Sequence, residues 1–285
     1  MRRATEHVRS NELSALLAMK DALAPAGAKL LFDAVTFGRL EICAWLHAEF
    51  GLTVNNKLLR EAADKGHLAV CQWLQATAGA KILDARAKDC APLRYAADRG
   101  HLDVCQWLQA TYGLTTEDAR VSGNLALRLA ARGGHLAVCQ WLHATYGLTA
   151  ADARAYDNYA LRYAAFNGHR DVCEWLYATY GMTRADATAC DNFAWHGAAV
   201  NGHLAVCQWF HARFFWAMPM SATYGRVVLY KAAEMGHRDV CAWVRRTFEL
   251  TPVEWQIAAR RATPAIAAWV RLNGLELALS ALVDA

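Results

Sequence analysis

The stretch Ala160-Leu161-Arg162-Tyr163-Ala164-Ala165-Phe166-Asn167-Gly168-His169-Arg170-Asp171-Val172-Cys173-Glu174-Trp175-Leu176 decides the fold. It reads as two short helices hinged at a glycine. Asn158, just upstream, is a good N-cap, because its side chain can accept from the first free N–H groups. An Ala-rich helix A starting at Tyr159 then ends near Asn167-Gly168, with Gly168 supplying a left-handed C-terminal residue. Helix B runs from about His169 to Thr179. Val172, Cys173, Trp175 and Leu176 form one broad apolar face of it. Gly181 stops helix B in the same way.

This unit recurs. Gly-His stands at 66–67, 100–101, 134–135, 168–169, 202–203 and 236–237, always 34 residues apart. A Cys follows each Gly by five residues and a Trp by seven. An earlier copy (Gly38, Cys43, Trp45) precedes the next by only 28 residues, and a last one keeps Trp269 but has Ala267 in place of Cys. Paired alanines in helix A, such as Ala96-Ala97 and Ala198-Ala199, allow close helix approach. Trp and Leu of helix B fill the layers between. Neither helix can bury its face alone, so the units must stack. The connections carry Thr115-x-x-Asp118, Thr149-x-x-Asp152, Thr183-x-x-Asp186 and Thr251-x-x-Glu254. This is capping-box chemistry and predicts a short helical turn in each connection.

Composition agrees with such a fold and narrows the function. The 285 residues are 55% hydrophobic and 20% charged, which excludes a disordered chain. No apolar run approaches the ~18–20 residues of a membrane span, and the N-terminus MRRATEHVRSNEL lacks a signal-peptide core. A net charge of +4 falls short of a dedicated nucleic-acid binder. Seven of the nine Cys share one position on helix B. Neighbouring helices pack ~8–10 Å apart, too far for adjacent copies to pair. These thiols read as small buried hydrophobes of a reducing, cytoplasmic compartment, with Cys90 and Cys190, in connections, expected to be exposed.

The run Ala-Leu-Arg-Tyr-Ala-Ala-x-x-Gly-His-x-x-Val-Cys-x-Trp-Leu resembles the ankyrin repeat, and Pro92-Leu93 keeps that family's Pro-Leu step. Its Cys-x-Trp-Leu and Leu-Thr-x-x-Asp-Ala-Arg features are similar to the divergent repeats abundant in large DNA viruses of amoebae. The period departs from the family's usual ~33. The segment that forms a β-hairpin finger in ordinary copies carries helix-cap residues here. The expected fold is therefore all-α, an ankyrin-like helical-repeat solenoid with short helical turns in place of β-hairpin fingers. Residues 1–26 are expected to form an N-terminal capping helix, centred on Asn11–Leu23. Residues 27–285 are expected to hold about eight helix pairs, with a closing helix after Gly274. The resemblance implies a non-catalytic scaffold or adaptor that binds a protein through its concave face, without cofactor or membrane, as a monomer.

Nothing in the chain nominates an active site or metal centre. His67-x-x-x-Cys71 and its copies offer two ligands per repeat, and a structural zinc needs four. Six copies of one His argue for architecture. Function is expected where the copies differ. The two residues before each interhelical Gly change from Asp98-Arg99 and Arg132-Gly133 to Phe166-Asn167 and Val200-Asn201. Tyr156, Tyr159 and Phe193 lie in the same repeats. Arg99, Arg132, Tyr156, Tyr159, Phe166, Asn167, Phe193, Val200 and Asn201 are thus the candidate protein-binding residues. Phe166 packing against the next connection is the competing reading. An arginine ladder (Arg60, Arg94, Arg128, Arg162) is the alternative, able to bind nucleic acid or another acidic surface. Pairing of that ladder with Asp84, Asp118, Asp152 and Asp186 is the favoured explanation of it. The segment Phe214–Met220 loses the cap and stop residues and reads as a docking loop or, preferably, as local repacking.

Overall fold

The computed structural model describes residues 2–78, 84–215 and 221–283, with side chains left undescribed at 215, 221–224 and 275–283. The described residues contain helices and turns and no strand. The chain is an all-α helical-repeat protein, as its sequence predicts. It forms two compact units, residues 1–130 with 137–148, and residues 131–136 with 149–285.

The first unit opens with α1 (Arg2–Ser10), α2 (Leu13–Ala18) and α3 (Lys20–Leu23). The single helix expected over Asn11–Leu23 is therefore broken, and the cap expected over residues 1–26 is made of several short helices that begin with α1. Asn11 is left-handed (φ 62°), a conformation Asn tolerates better than most residues. Ala4 and Val8 of α1 are buried, and α1 packs on α4. Helix pairs follow as α4 (Gly27–Thr36) with α5 (Leu40–Phe50), α6 (Asn56–Lys65) with α7 (Leu68–Ala78), and α8 (Ala87–Arg99) with α9 (Leu102–Tyr112). Next come α10 (Thr116–Gly133) and α11 (Leu136–Tyr146). The second unit holds α12 (Ala150–Ala153), α13 (Ala155–Phe166), α14 (Arg170–Tyr180), α15 (Arg184–Ala187), α16 (Ala189–Val200), α17 (Leu204–Phe210), α18 (Ser221–Met235), α19 (Arg238–Thr247), α20 (Pro252–Arg261) and α21 (Pro264–Val283).

Like packs on like. Helix A stacks on helix A (α4 on α6, α6 on α8; α13 on α16, α16 on α18), and helix B on helix B (α5 on α7, α7 on α9; α14 on α17, α17 on α19). The paired alanines are buried at every copy, for example Ala62-Ala63 and Ala164-Ala165. The seven repeat cysteines are buried as free thiols, and Cys190 is exposed. Cys90, expected at the surface, is buried too. The repeated Trp varies in depth, and Trp209 and Trp243 are buried. Trp107, Trp141 and Trp175 are half-buried, each edge-on to a Tyr five residues later at 5.4–5.9 Å.

The interhelical His ties successive copies together. His67 Nε2–H donates to Thr36 O (3.1 Å), His101 to Asp64 O (3.1 Å) and His237 to Val200 O (2.8 Å). The acceptor belongs to the preceding copy. The ring lies over that copy's left-handed glycine. A Cβ on Gly168 (φ 85°) would fall 2.6 Å from His203 Nδ1, so both backbone and space demand glycine there.

The connections hold two devices. One is the expected capping box. Thr149 and Asp152, Thr183 and Asp186, and Thr251 and Glu254 exchange side-chain and backbone hydrogen bonds reciprocally. The other is a three-residue left-handed turn at Lys88–Cys90, Ser122–Asn124, Tyr156–Asn158 and Cys190–Asn192, with φ between 51° and 64°. Asn158 therefore closes this turn and does not cap helix A. Its Oδ1 is buried and accepts no hydrogen bond. Where the turn is missing, an Asn does cap: Asn55 is extended and accepts from Lys57 N (3.0 Å) and Leu58 N (3.3 Å).

At the C-terminus, α21 runs through Gly274 without a break, so no separate closing helix begins there. A Cβ on Gly274 would meet Trp255 Cβ at 2.8 Å, so this glycine serves close approach to α20. Phe214 lies in a π-helical turn after α17. It is buried and edge-on to Trp209 at 5.6 Å, the part Tyr180 plays for Trp175. Residues 216–220 of the Phe214–Met220 segment, read as docking loop or repacking, lie outside the described residues.

Candidate protein-binding surface

The arginine ladder settles into architecture first. Left-handed residues other than Gly cost roughly 1–2 kcal/mol each, and their carbonyls need donors. Arg162 donates Nε–H to Asp157 O (2.7 Å) and an η N–H to Tyr156 O (2.9 Å). Arg128 holds Gly123 O (2.8 Å) and Ser122 O in the same way, and Arg94 donates to Lys88 O (2.7 Å). The ladder thus clamps the turn that precedes its own helix.

The acids have other partners. Asp118 takes Arg86 Nε–H (3.0 Å) and Asp186 takes Arg154 Nε–H (2.9 Å), each from the Asp-Ala-Arg motif of the copy before. Asp118 and Asp186 therefore pair with these arginines and not, as expected, with the ladder. Burial acts to raise the Asp186 carboxyl. Hydrogen bonds from Arg154 and Thr183 outweigh it and hold the group below the ordinary carboxylate value.

With three ladder arginines engaged, the aromatic positions of the second unit stand out. Tyr159 stacks on Tyr163 at 4.1 Å. Tyr163 meets Phe193 at 5.4 Å, and Phe193 stacks on Phe166 at 5.6 Å with planes 14° apart. The result is one continuous strip across α13 and α16. All four rings are half-buried, and Tyr156 beside them is 60% exposed. The Arg162 guanidinium sits 5.3 Å from the Phe193 centroid and 5.9 Å from Tyr163. Gly197 makes room for this arrangement, since a Cβ there would be 2.7 Å from Phe166 Cδ2. Phe166 therefore packs on the next helix A, not on a connection.

The remaining candidates are placed less centrally. Asn167 is exposed and donates to Arg132 O (2.8 Å). Asn201 is exposed and donates to Gly197 O (2.9 Å) of its own helix. Val200 is half-buried. Arg99 belongs to the first unit, where its Nε–H pairs with Asp64 (3.1 Å). Tyr163 escaped the sequence reading. Its signal was present, one helical turn after Tyr159 on the same face.

A family model for ankyrin repeats, in three copies, matches residues 93–186. That segment is similar to ankyrin repeats. Such repeats generally mediate protein–protein interaction and are typically non-catalytic. A comparison of the chain with curated proteins gave no significant match. The aromatic strip begins inside the matched ankyrin segment, at Tyr159, and continues past it to Phe193. Among the described residues no helix is long and apolar enough to cross a membrane.

Proposed function

We propose that this protein is a non-catalytic interaction module that seats a protein partner on the aromatic strip of α13 and α16. The strip itself carries the reading. Tyr159, Tyr163, Phe166 and Phe193 are large rings already immobilised by one another, so they lose little freedom on binding. Arg162 is held by two carbonyls beside them. Preorganised aromatics with an arginine are the groups that dominate protein interfaces. Tyr156 and the flanking Asn167, Val200 and Asn201 make its rim, and Arg132 stands one copy earlier. An adaptor role for a monomer in a reducing, intracellular compartment belongs to the same reading, which the nine free thiols favour. A nucleic-acid role for the ladder draws less support, because Arg94, Arg128 and Arg162 turn their donors inward.

Quantitative affinity capture tests the proposal. The wild-type chain is compared with Tyr156→Ala/Tyr159→Ala/Phe193→Ala, both verified as folded by circular dichroism. The partner should be enriched by the wild type and lost by the variant. Identical captured sets would refute the strip as the binding surface.

A further inference from the structure

The repeat spacing contracts between Gly38 and Gly66, where six residues are missing. The shortened connection between α5 and α6, residues 51–55, has no left-handed turn. Arg60 occupies the ladder position of α6 and so has no turn to clamp. Among the described residues it makes neither a hydrogen bond nor an ion pair, and its guanidinium lies 5.9 Å from the Tyr95 ring. The next copy does carry its turn, and Asp84 N donates to Asn56 Oδ1 (2.9 Å) across the gap.

An open cleft of about 170 Å³ lies here. Lys57, Arg60 and Lys88 line it together with the apolar Ala87, Ala91 and Pro92. None of the three cations has a carboxylate partner among the described residues. Asp84 is the one acid among the described lining residues, and its Oδ1 is occupied by Arg86 N (2.8 Å). Lys57 Nζ rests 4.5 Å from the Phe32 ring centroid, which positions it without neutralising it.

We propose that this cleft binds an acidic side chain, chiefly Glu, presented by an acidic peptide segment of a protein partner. The charge excess selects an anion. The volume is below the ~300–1,000 Å³ of small-molecule sites and suits one side chain. The guanidinium of Arg60 can take a carboxylate through two parallel hydrogen bonds. The apolar lining of Ala87, Ala91 and Pro92 accepts the methylenes of Glu, which free phosphate lacks. Lys57 and Lys88, exposed at the rim, add attraction that salt screens within ~8–10 Å. This site is independent of the aromatic strip.

The probe is a fluorescein-labelled, acetylated hexaglutamate, with hexaglutamine as its neutral control, read by fluorescence anisotropy. The acidic peptide should bind, the neutral one should not, and Lys57→Gln/Arg60→Gln/Lys88→Gln should weaken binding at least tenfold. Arg170→Gln/Arg213→Gln should leave it unchanged. Carbodiimide coupling of the peptide to the wild-type protein needs no variant and should give amide cross-links at Lys57 and Lys88. Equal affinity in the triple variant, loss in the Arg170/Arg213 control, or no binding of the acidic peptide would overturn the proposal. So would cross-links spread evenly over Lys20, Lys29 and Lys231, or a single-stranded oligonucleotide displacing the peptide from the cleft.

Discussion

At the scale of single residues, one amino acid does different work according to what precedes it. Arg162 and Arg60 share a repeat position, yet only Arg162 has a left-handed turn to hold. Replacing Arg162 by Met removes two charge-assisted hydrogen bonds and should destabilise the fold by about 2 kcal/mol. Backbone amides at 156–160 should exchange faster with deuterium. Arg60→Met should cost less than about 0.5 kcal/mol, as for an ordinary surface change. If both substitutions behave alike in thermal unfolding and exchange, the clamp does not exist. The turn had a signature in the sequence. Gly123-Asn124, Asp157-Asn158 and Asp191-Asn192 are residue pairs suited to positive φ. The same Asn is also a good N-cap, and a single side chain cannot reveal which local hydrogen bond it will make.

At the scale of helices, the stops and starts follow local rules that can be tested in pairs. Gly181 and Gly168 both end helices in the left-handed region (φ 60° and 85°). A Cβ at Gly181 would meet nothing within 4 Å, whereas one at Gly168 would strike His203. Gly181→Ala should therefore cost about 1 kcal/mol for backbone conformation alone. Gly168→Ala should cost clearly more, since the His203 ring must also move. Chemical denaturation of the two variants checks the order, and equal losses would mean that the His–Gly contact contributes nothing. Asp186 joins a capping box to an arginine from the copy before. Asp186→Asn should cost about 1–3 kcal/mol. The effect should begin to shrink as pH falls below the ordinary carboxylate value near 4 and be gone only beneath the lower native value, where the folded wild-type group also becomes protonated.

At the scale of the whole molecule, burial sets the response to pH and to thiol reagents. Burial, aided by Lys231, lowers the His196 pKa, and burial likewise lowers those of His203 and His211. Below the ordinary His value near 6.5 the unfolded chain takes up protons that the folded chain resists. Stability should thus be full above that value and decline as pH falls beneath it, giving a lower Tm at pH 5.5 than at pH 7.5. A Tm that is unchanged or higher would contradict this burial. Burial pushes the Cys43, Cys71, Cys207 and Cys241 thiols up to about 12 and Cys90 to about 11. Such thiols form little thiolate at neutral pH. The native chain should react rapidly with a thiol reagent at Cys190 alone, and the remaining eight should react only on unfolding. More than one fast equivalent would show that the helix B faces are open.

The sequence by itself determined the repeat, the paired helices, the glycine stops and the capping boxes. Each of these depends on residues within a few positions of one another and is written several times over. Tertiary structure decided which groups meet. Acids took arginines 32 residues away, the ladder turned to nearby carbonyls, and Phe166 found Gly197. The first and last rest on distances between successive copies and the second on the course of the turn, and periodicity along the chain encodes neither. The cleft beside Arg60 has the same origin. A deletion of six residues is visible in the spacing, but the partner it removes from an arginine is visible only in three dimensions.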